Sequence, residues 1–117
     1  MLVYLAGPYR AETWELICWN VKAASDMAAI LLAEGFEVCC PHSMTHGYER
    51  YEFLTDADFL RNGIELLRRC DAVLLLDGWE YSAGTLAEKA FAEANRIPVF
   101  KSIEALREYA RQEAAGD

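Results

Sequence analysis

The sequence predicts an α/β domain: a three-layer parallel sheet of about four to five strands with helices on both faces, in the flavodoxin or Rossmann style. Three observations predict it. Short apolar runs alternate with segments of helical spacing in the order β-α-β-α-β-α-β-α, which requires parallel strands joined by right-handed crossovers. The run Ala72-Val73-Leu74-Leu75-Leu76 is apolar without alternation, as suits a strand covered on both faces. The chain has 117 residues, 54% hydrophobic and 12% aromatic, which is enough for one core and too apolar for a disordered segment. With no internal repeat, low-complexity tract or linker, residues 1–117 read as a single domain.

Each element follows in turn. Leu2-Val3-Tyr4-Leu5 is a short buried strand stopped by Gly7-Pro8. From Trp14 the apolar residues Ile17, Cys18, Val21, Ala24, Ala28, Leu31 and Leu32 follow helical spacing, and Gly35 stands where a helix commonly ends in a left-handed residue. Phe36 to Cys40 is the second strand, ended by Pro41, and His42 to about Tyr51 has no period and reads as a loop. Phe59, Leu60, Ile64, Leu67 and Cys70 mark a second helix, with Arg68 and Arg69 in its last turn, where cations suit the helix dipole. After the central strand come a helix from about Thr85 to Ala94, a strand from Ile97 to Phe100 and a helix from Ser102.

The charge balance narrows the function. Eleven Lys and Arg against 19 Asp and Glu give −8, which argues against a duplex nucleic acid as partner, although backbone amides can still bind a small phosphorylated ligand. No uninterrupted apolar run approaches the roughly 18 residues that span a bilayer, and the start lacks a leader pattern. The expectation is a cytoplasmic protein with no membrane partner. The four cysteines form no Cys-x-x-Cys pair and are expected to be buried, reduced thiols.

In parallel sheets ligands bind beyond the carboxyl ends of the strands, which directs attention to Gly7–Thr13, His42–Tyr51 and Asp77–Glu88. Gly7-Pro8-Tyr9-Arg10 matches neither the Gly-x-Gly-x-x-Gly fingerprint nor a P-loop, so no nucleotide cofactor is expected. Gly7 lets backbone approach a ligand, and Arg10 is the only cation in that turn. Between Asp77 and Glu88, Thr85 followed by Glu88 reads as a capping box, in which Glu88 accepts from the amide at its own helix start. The same carboxylate also reads as a group at the crevice mouth that attacks a sugar carbon. Cys40, His42 and His46 obey no spacing rule that aligns them on a metal, and a fourth ligand is not evident, so no metal is expected and His42 reads as a loop histidine beside the crevice. Trp79, Tyr81, Tyr9 and Tyr48 either stack on a flat base or pack.

Val3-Tyr4-Leu5-Ala6-Gly7-Pro8-Tyr9, Cys70-Asp71-Ala72-Val73-Leu74-Leu75-Leu76 and Gly78-Trp79-Glu80-Tyr81-Ser82-Ala83-Gly84-Thr85 through Glu88 together resemble the nucleoside 2-deoxyribosyltransferase-like superfamily, in a small branch common in bacteria and phages. The resemblance covers about residues 1 to 100. It implies cleavage or transfer of the N-glycosidic bond of a (deoxy)nucleoside or nucleoside monophosphate. Glu88 is then the nucleophile and Tyr4 its hydrogen-bonding partner, while Ser82 and Gly84 line the sugar or phosphate site, with Gly7, Tyr9, Arg10, His42, Asp77 and Trp79 as further substrate contacts. It also implies a homo-oligomer.

One departure stands out. Relatives carry an aspartate about eight residues ahead of the position matching Asp71, where it assists the leaving base; this chain has Gly63 there, beside Asn62. Asp58 lies five residues earlier, more than one helical turn away. The alternative expectation is therefore a nucleotide-binding module without turnover.

Overall fold

In the computed structural model, which describes residues 1–116, four parallel strands form one sheet in the order β2-β1-β3-β4. These are β1 (Leu2–Ala6), β2 (Glu37–Cys39), β3 (Ala72–Leu75) and β4 (Val99–Phe100). The helices are α1 (Trp14–Ala33), α2 (Pro41–Met44), α3 (Asp56–Leu67), α4 (Ala83–Ala94) and α5 (Ile103–Gly116). Register runs Val3 to Ala72 through Ala6 to Leu75 between the two central strands, so their side chains alternate in phase. Val3, Leu5, Ala72 and Leu74 face one way and bury Ala24 and Leu31 of α1 and Leu106 of α5. Tyr4, Ala6, Val73 and Leu75 face the other way, onto Leu67 of α3 and Ala92 of α4. Period-two alternation thus gives the expected three layers, and each fully buried Leu or Val contributes about 1.5–3 kcal/mol.

Caps fix where the helices begin. Thr13 Oγ1 accepts from the Leu16 amide at 3.2 Å, and Ser102 Oγ accepts from the Ala105 amide at 3.2 Å. At α3, Thr55 and Asp58 form a reciprocal box: the Asp58 amide donates to Thr55 Oγ1 at 3.2 Å and the Thr55 amide donates to Asp58 Oδ2 at 2.8 Å. Asp71 accepts from the Leu2 amide at 2.7 Å and so ties the start of β3 to β1.

Several boundaries differ from expectation for identifiable reasons. The segment after β2, expected as a loop, holds α2, with Pro41 in its first turn, and a single 3-10 turn at Tyr48–Arg50. Elements of four and three residues are too short to display a 3.6-residue period. β2 shrinks to three residues. β4 shrinks to two, because Pro98 has no amide to donate and contributes only its carbonyl, which accepts from the Val73 amide at 2.9 Å. α4 begins at Ala83 rather than Thr85.

The sequence has no uninterrupted apolar run long enough to span a bilayer, yet α1 meets the criterion on average. An 18-residue window within its 20 residues reaches a mean hydropathy of 1.4, so by length and composition alone it is long and apolar enough to cross one. Counting only uninterrupted runs overlooked it, because Lys22 and Asp26 break the run without lowering the average far. One stripe of α1 packs on the sheet; Trp14, Leu16, Trp19, Ile30 and Leu32 of the remaining surface are exposed.

The turns that follow β1 and β3 abut. A Cβ on Gly7 would lie 2.6 Å from Leu76 Cβ, so only glycine allows this approach. The two strand ends that flank the topological switch point are thereby held together, and a cavity opens beside them.

Candidate functional site

A cavity of about 570 Å³ lies over the carboxyl ends of the central strands. Its lining comes from the turn after β1 (Gly7 to Arg10), from α2, from α3 and from the start of α4. Glu88 enters from the second turn of α4 and Tyr4 from β1, and the Tyr4 hydroxyl donates a hydrogen bond to Glu88 Oε2. Tyr4 is 1% exposed and rigidly packed, so it fixes the carboxyl in one place. Burial raises Glu88 from the ordinary 4.5 to about 7, with the Tyr4 hydrogen bond opposing that rise. Burial and the neighbouring carboxylate push the Tyr4 phenol far above its ordinary range, so its proton stays on Tyr4.

The capping role expected for Glu88 is not what the structure shows. Ser82 is the cap of α4: its Oγ accepts from the Thr85 amide at 3.2 Å and from the Thr85 hydroxyl at 2.9 Å. The helix starts one turn earlier than the Thr85-x-x-Glu88 pattern implied, so Thr85 is the third helical residue. Glu88 is left free of the helix end and turned toward Tyr4 and the cavity.

The third member of this cluster is a glycine. Gly63 is buried in the middle of α3, and a Cβ there would lie 2.8 Å from both Glu88 Oε2 and the Tyr4 hydroxyl. A glycine inside a helix costs about 1 kcal/mol relative to alanine. Here it permits the α3 backbone to close over the carboxyl and helps keep water from it.

Around this centre the structure gathers most of the residues singled out in the sequence. Gly7, Tyr9, Arg10, His42, Ser82 and Gly84 all line the cavity. The Tyr9 hydroxyl donates to Glu49 at 2.8 Å, accepts from the Gly47 amide at 3.0 Å and lies 3.2 Å from His46 Nδ1. Burial raises the Tyr9 phenol above its ordinary value. Trp14 stacks on His46 with ring centroids 5.0 Å apart. His42 is 5% exposed, its Nε2 donates to the Pro8 carbonyl at 3.0 Å, and burial lowers its pKa, so the ring is a neutral packing element. Arg10 pairs with Asp56 at 2.7 Å on the rim.

Asp77 and Trp79, expected in the crevice, lie outside it. Asp77 lines a separate hollow on the α1 and α5 side of the sheet, with Lys101 and Asn20. The Trp79 ring packs against the core under α3 and α4, with Lys89 Nζ at 5.7 Å and Lys101 Nζ at 5.4 Å from its centre. The left-handed turn at Gly78 carries the chain away from the cavity before Tyr81 brings it back. Sequence reasoning did not single out Glu49, Asp56, Phe59 or Leu60, which also line the cavity. A signal was present: Asp56, Phe59, Leu60 and Gly63 share one face of α3, on which a glycine replaces the large residue a packed helix would place there.

With this geometry in place, the chain can be set against known proteins. The family model described as Domain of unknown function (DUF4406) matches residues 1–101. The chain belongs to the DUF4406 family. The matched span holds every cavity-lining residue of this DUF4406 protein, from Tyr4 to Glu88. Among solved structures, it is similar to a 2-deoxyribosyltransferase from the psychrotolerant bacterium Bacillus psychrosaccharolyticus, with a TM-score of 0.62 and 21% identity over 85% of this chain and 69% of that one. The DUF4406 chain therefore has a nucleoside 2-deoxyribosyltransferase-like fold. No curated protein matches it.

Proposed function

We propose that the protein cleaves or transfers the N-glycosidic bond of a (deoxy)nucleoside or nucleoside monophosphate, with Glu88 as nucleophile. The observation that carries this reading is a carboxyl held by Tyr4 at the floor of a cavity wide enough for a nucleoside. The likeness in fold to a 2-deoxyribosyltransferase supports it. With Oε2 held by Tyr4, Oε1 is the atom presented to C1′ of the sugar. Attack there expels the base through an oxocarbenium-like state and leaves a glycosyl ester, which water or a second base resolves. Tyr4, which keeps its proton, positions the carboxylate and steadies the negative charge that returns to it when the ester is cleaved. Ser82 and Gly84 at the start of α4 and Arg10 on the rim provide the positive end for a sugar hydroxyl or a phosphate.

The test is a panel of nucleosides and nucleoside monophosphates incubated with the protein and assayed for free base, with Glu88→Ala as background. Base release is expected only with Glu88 present. It should increase with pH through about 7, because attack requires the ionised carboxylate. A nucleotide that raises the melting temperature with no base released supports instead a binding module without turnover. The exposed apolar side of α1 reads as the surface a second copy covers; gel filtration giving the mass of one 13.2 kDa chain counts against that.

A further inference from the structure

The wall that closes over Glu88 is α3, which presents Phe59, Leu60, Asn62 and Gly63 to the cavity. None of these residues exchanges a proton near neutral pH, and at Gly63, the point of closest approach, even a Cβ would lie 2.8 Å from Glu88 Oε2. Beside Glu88 that wall therefore has no acid to offer a departing base; its one carboxyl on the cavity, Asp56, stands at the start of the helix. The matter is decisive for a neutral heterocycle, which leaves C1′ as an anion unless a positioned acid protonates it, an assistance worth about 10²–10⁴-fold. The other two carboxyls that line the cavity are engaged elsewhere: Glu49 accepts from the Tyr9 hydroxyl at 2.8 Å, and Asp56 pairs with Arg10 at 2.7 Å on the rim.

The same lining favours positive charge. Glu49, Asp56 and Glu88 face a single guanidinium, Arg10, and His42 is neutral. Phe59 offers an aromatic face on which a cation already rests, with Arg10 Cζ 5.8 Å from the ring centre. A flat cationic ring fits both features.

We propose that the cavity serves N-glycosides whose base is already cationic, a pyridinium or an N-alkylated purine, so that the base departs neutral and needs no proton. This rests on the glycosidic reading given above. In the first step the Glu88 carboxylate forms a bond to C1′ while the C1′–N bond breaks, and that electron pair goes to the ring nitrogen, cancelling its charge. In the second step water from solvent adds to C1′, the ester bond breaks with its electron pair returning to Glu88, and the proton lost by water passes to solvent. The base leaves and the free sugar follows.

The full chain is incubated with nicotinamide riboside, N7-methylguanosine and guanosine, each also as its 2′-deoxy form, and free base is measured against a Glu88→Ala background. The methylated and parent guanosines are compared below pH 7, where the methylated ring keeps its charge. The expected kcat/KM for the methylated compound exceeds that for guanosine by about 10²-fold or more. For nicotinamide riboside, kcat/KM should rise with pH through one ionisation to a plateau. Guanosine cleaved within about tenfold of its methylated form, or a bell-shaped profile for nicotinamide riboside, reveals a proton donor and overturns this inference while leaving the glycosidic reading intact. No base released from any compound, neutral or cationic, above the Glu88→Ala background overturns both.

Discussion

Glu88→Gln is expected to lower base release by about 10⁴-fold or more, the scale on which covalent nucleophiles act, and at the same time to abolish a pH-dependent loss of stability. The two effects have one cause. In the unfolded chain the carboxyl ionises near its ordinary 4.5, whereas in the folded protein burial holds it protonated up to about 7. An acid whose folded pKa is raised contributes full stability below its unfolded value and loses it as pH rises. The wild type should therefore lose stability between pH 4.5 and 7 by about 3 kcal/mol, and glutamine, which has no proton to lose, should not. The variant's amide keeps an oxygen for the Tyr4 hydroxyl and brings an N–H that burial leaves poorly satisfied, a pH-independent cost of about 1–3 kcal/mol. The informative quantity is thus the gap between the two stability curves as pH increases, measured by urea unfolding from pH 4 to pH 8. Parallel curves would mean that Glu88 is not desolvated as described.

Gly63→Ala separates stability from activity in a different way. Alanine in a helix gains up to about 1 kcal/mol over glycine, while the added methyl must displace the Glu88 carboxyl or the Tyr4 hydroxyl, each 2.8 Å away. Overpacking of this kind costs about 1–3 kcal/mol, so the net change in folding free energy should stay within about 2 kcal/mol. The Tyr4 ring is buried and cannot retreat, so the carboxyl moves instead. Misplacing a reacting group by about 1 Å can cost about 10²-fold, and a loss of that size in kcat is expected with a melting temperature lowered by no more than about 10 °C. Unchanged activity in Gly63→Ala would show that the close packing of α3 on the carboxyl has no part in the chemistry. The larger Gly63→Asp would crowd the carboxyl further and set a second acidic group against Glu88, so that the pair would hold a proton between them and the Glu88 pKa would rise further.

The sheet and its layers were legible in the sequence because their signals are long-range patterns. The unbroken run around Val73 and the helical stripe from Trp14 each extend over enough residues to show a period. Glu88, Tyr4, Gly7, Tyr9, Arg10, His42, Ser82 and Gly84 were selected by their place after the strands or by resemblance, and all of them meet at one cavity. What failed was finer. The turn from Asp77 to Tyr81 reverses direction at a left-handed Gly78, and a sequence does not say which of its side chains points inward; Asp77 and Trp79 point elsewhere. The Thr85-x-x-Glu88 pattern was sound chemistry at the wrong turn, because Ser82 provides an earlier cap. The contribution of α3 escaped because it rests on Gly63, whose role is the space it leaves empty.

The two sides of the cavity are built on different principles. Glu88 and Tyr4 belong to core elements, whereas residues 45 to 51 are fastened across the site chiefly through the Tyr9 phenol, by its bonds to Glu49 and Gly47 and its contact with His46. To swing aside, such a flap would give up a few polar contacts and the Trp14–His46 stack rather than a hydrophobic core layer. On the proposed glycosidic reading, admission of a ligand and its chemistry would fall to separate parts of the chain, with a single phenolic oxygen as the latch between them.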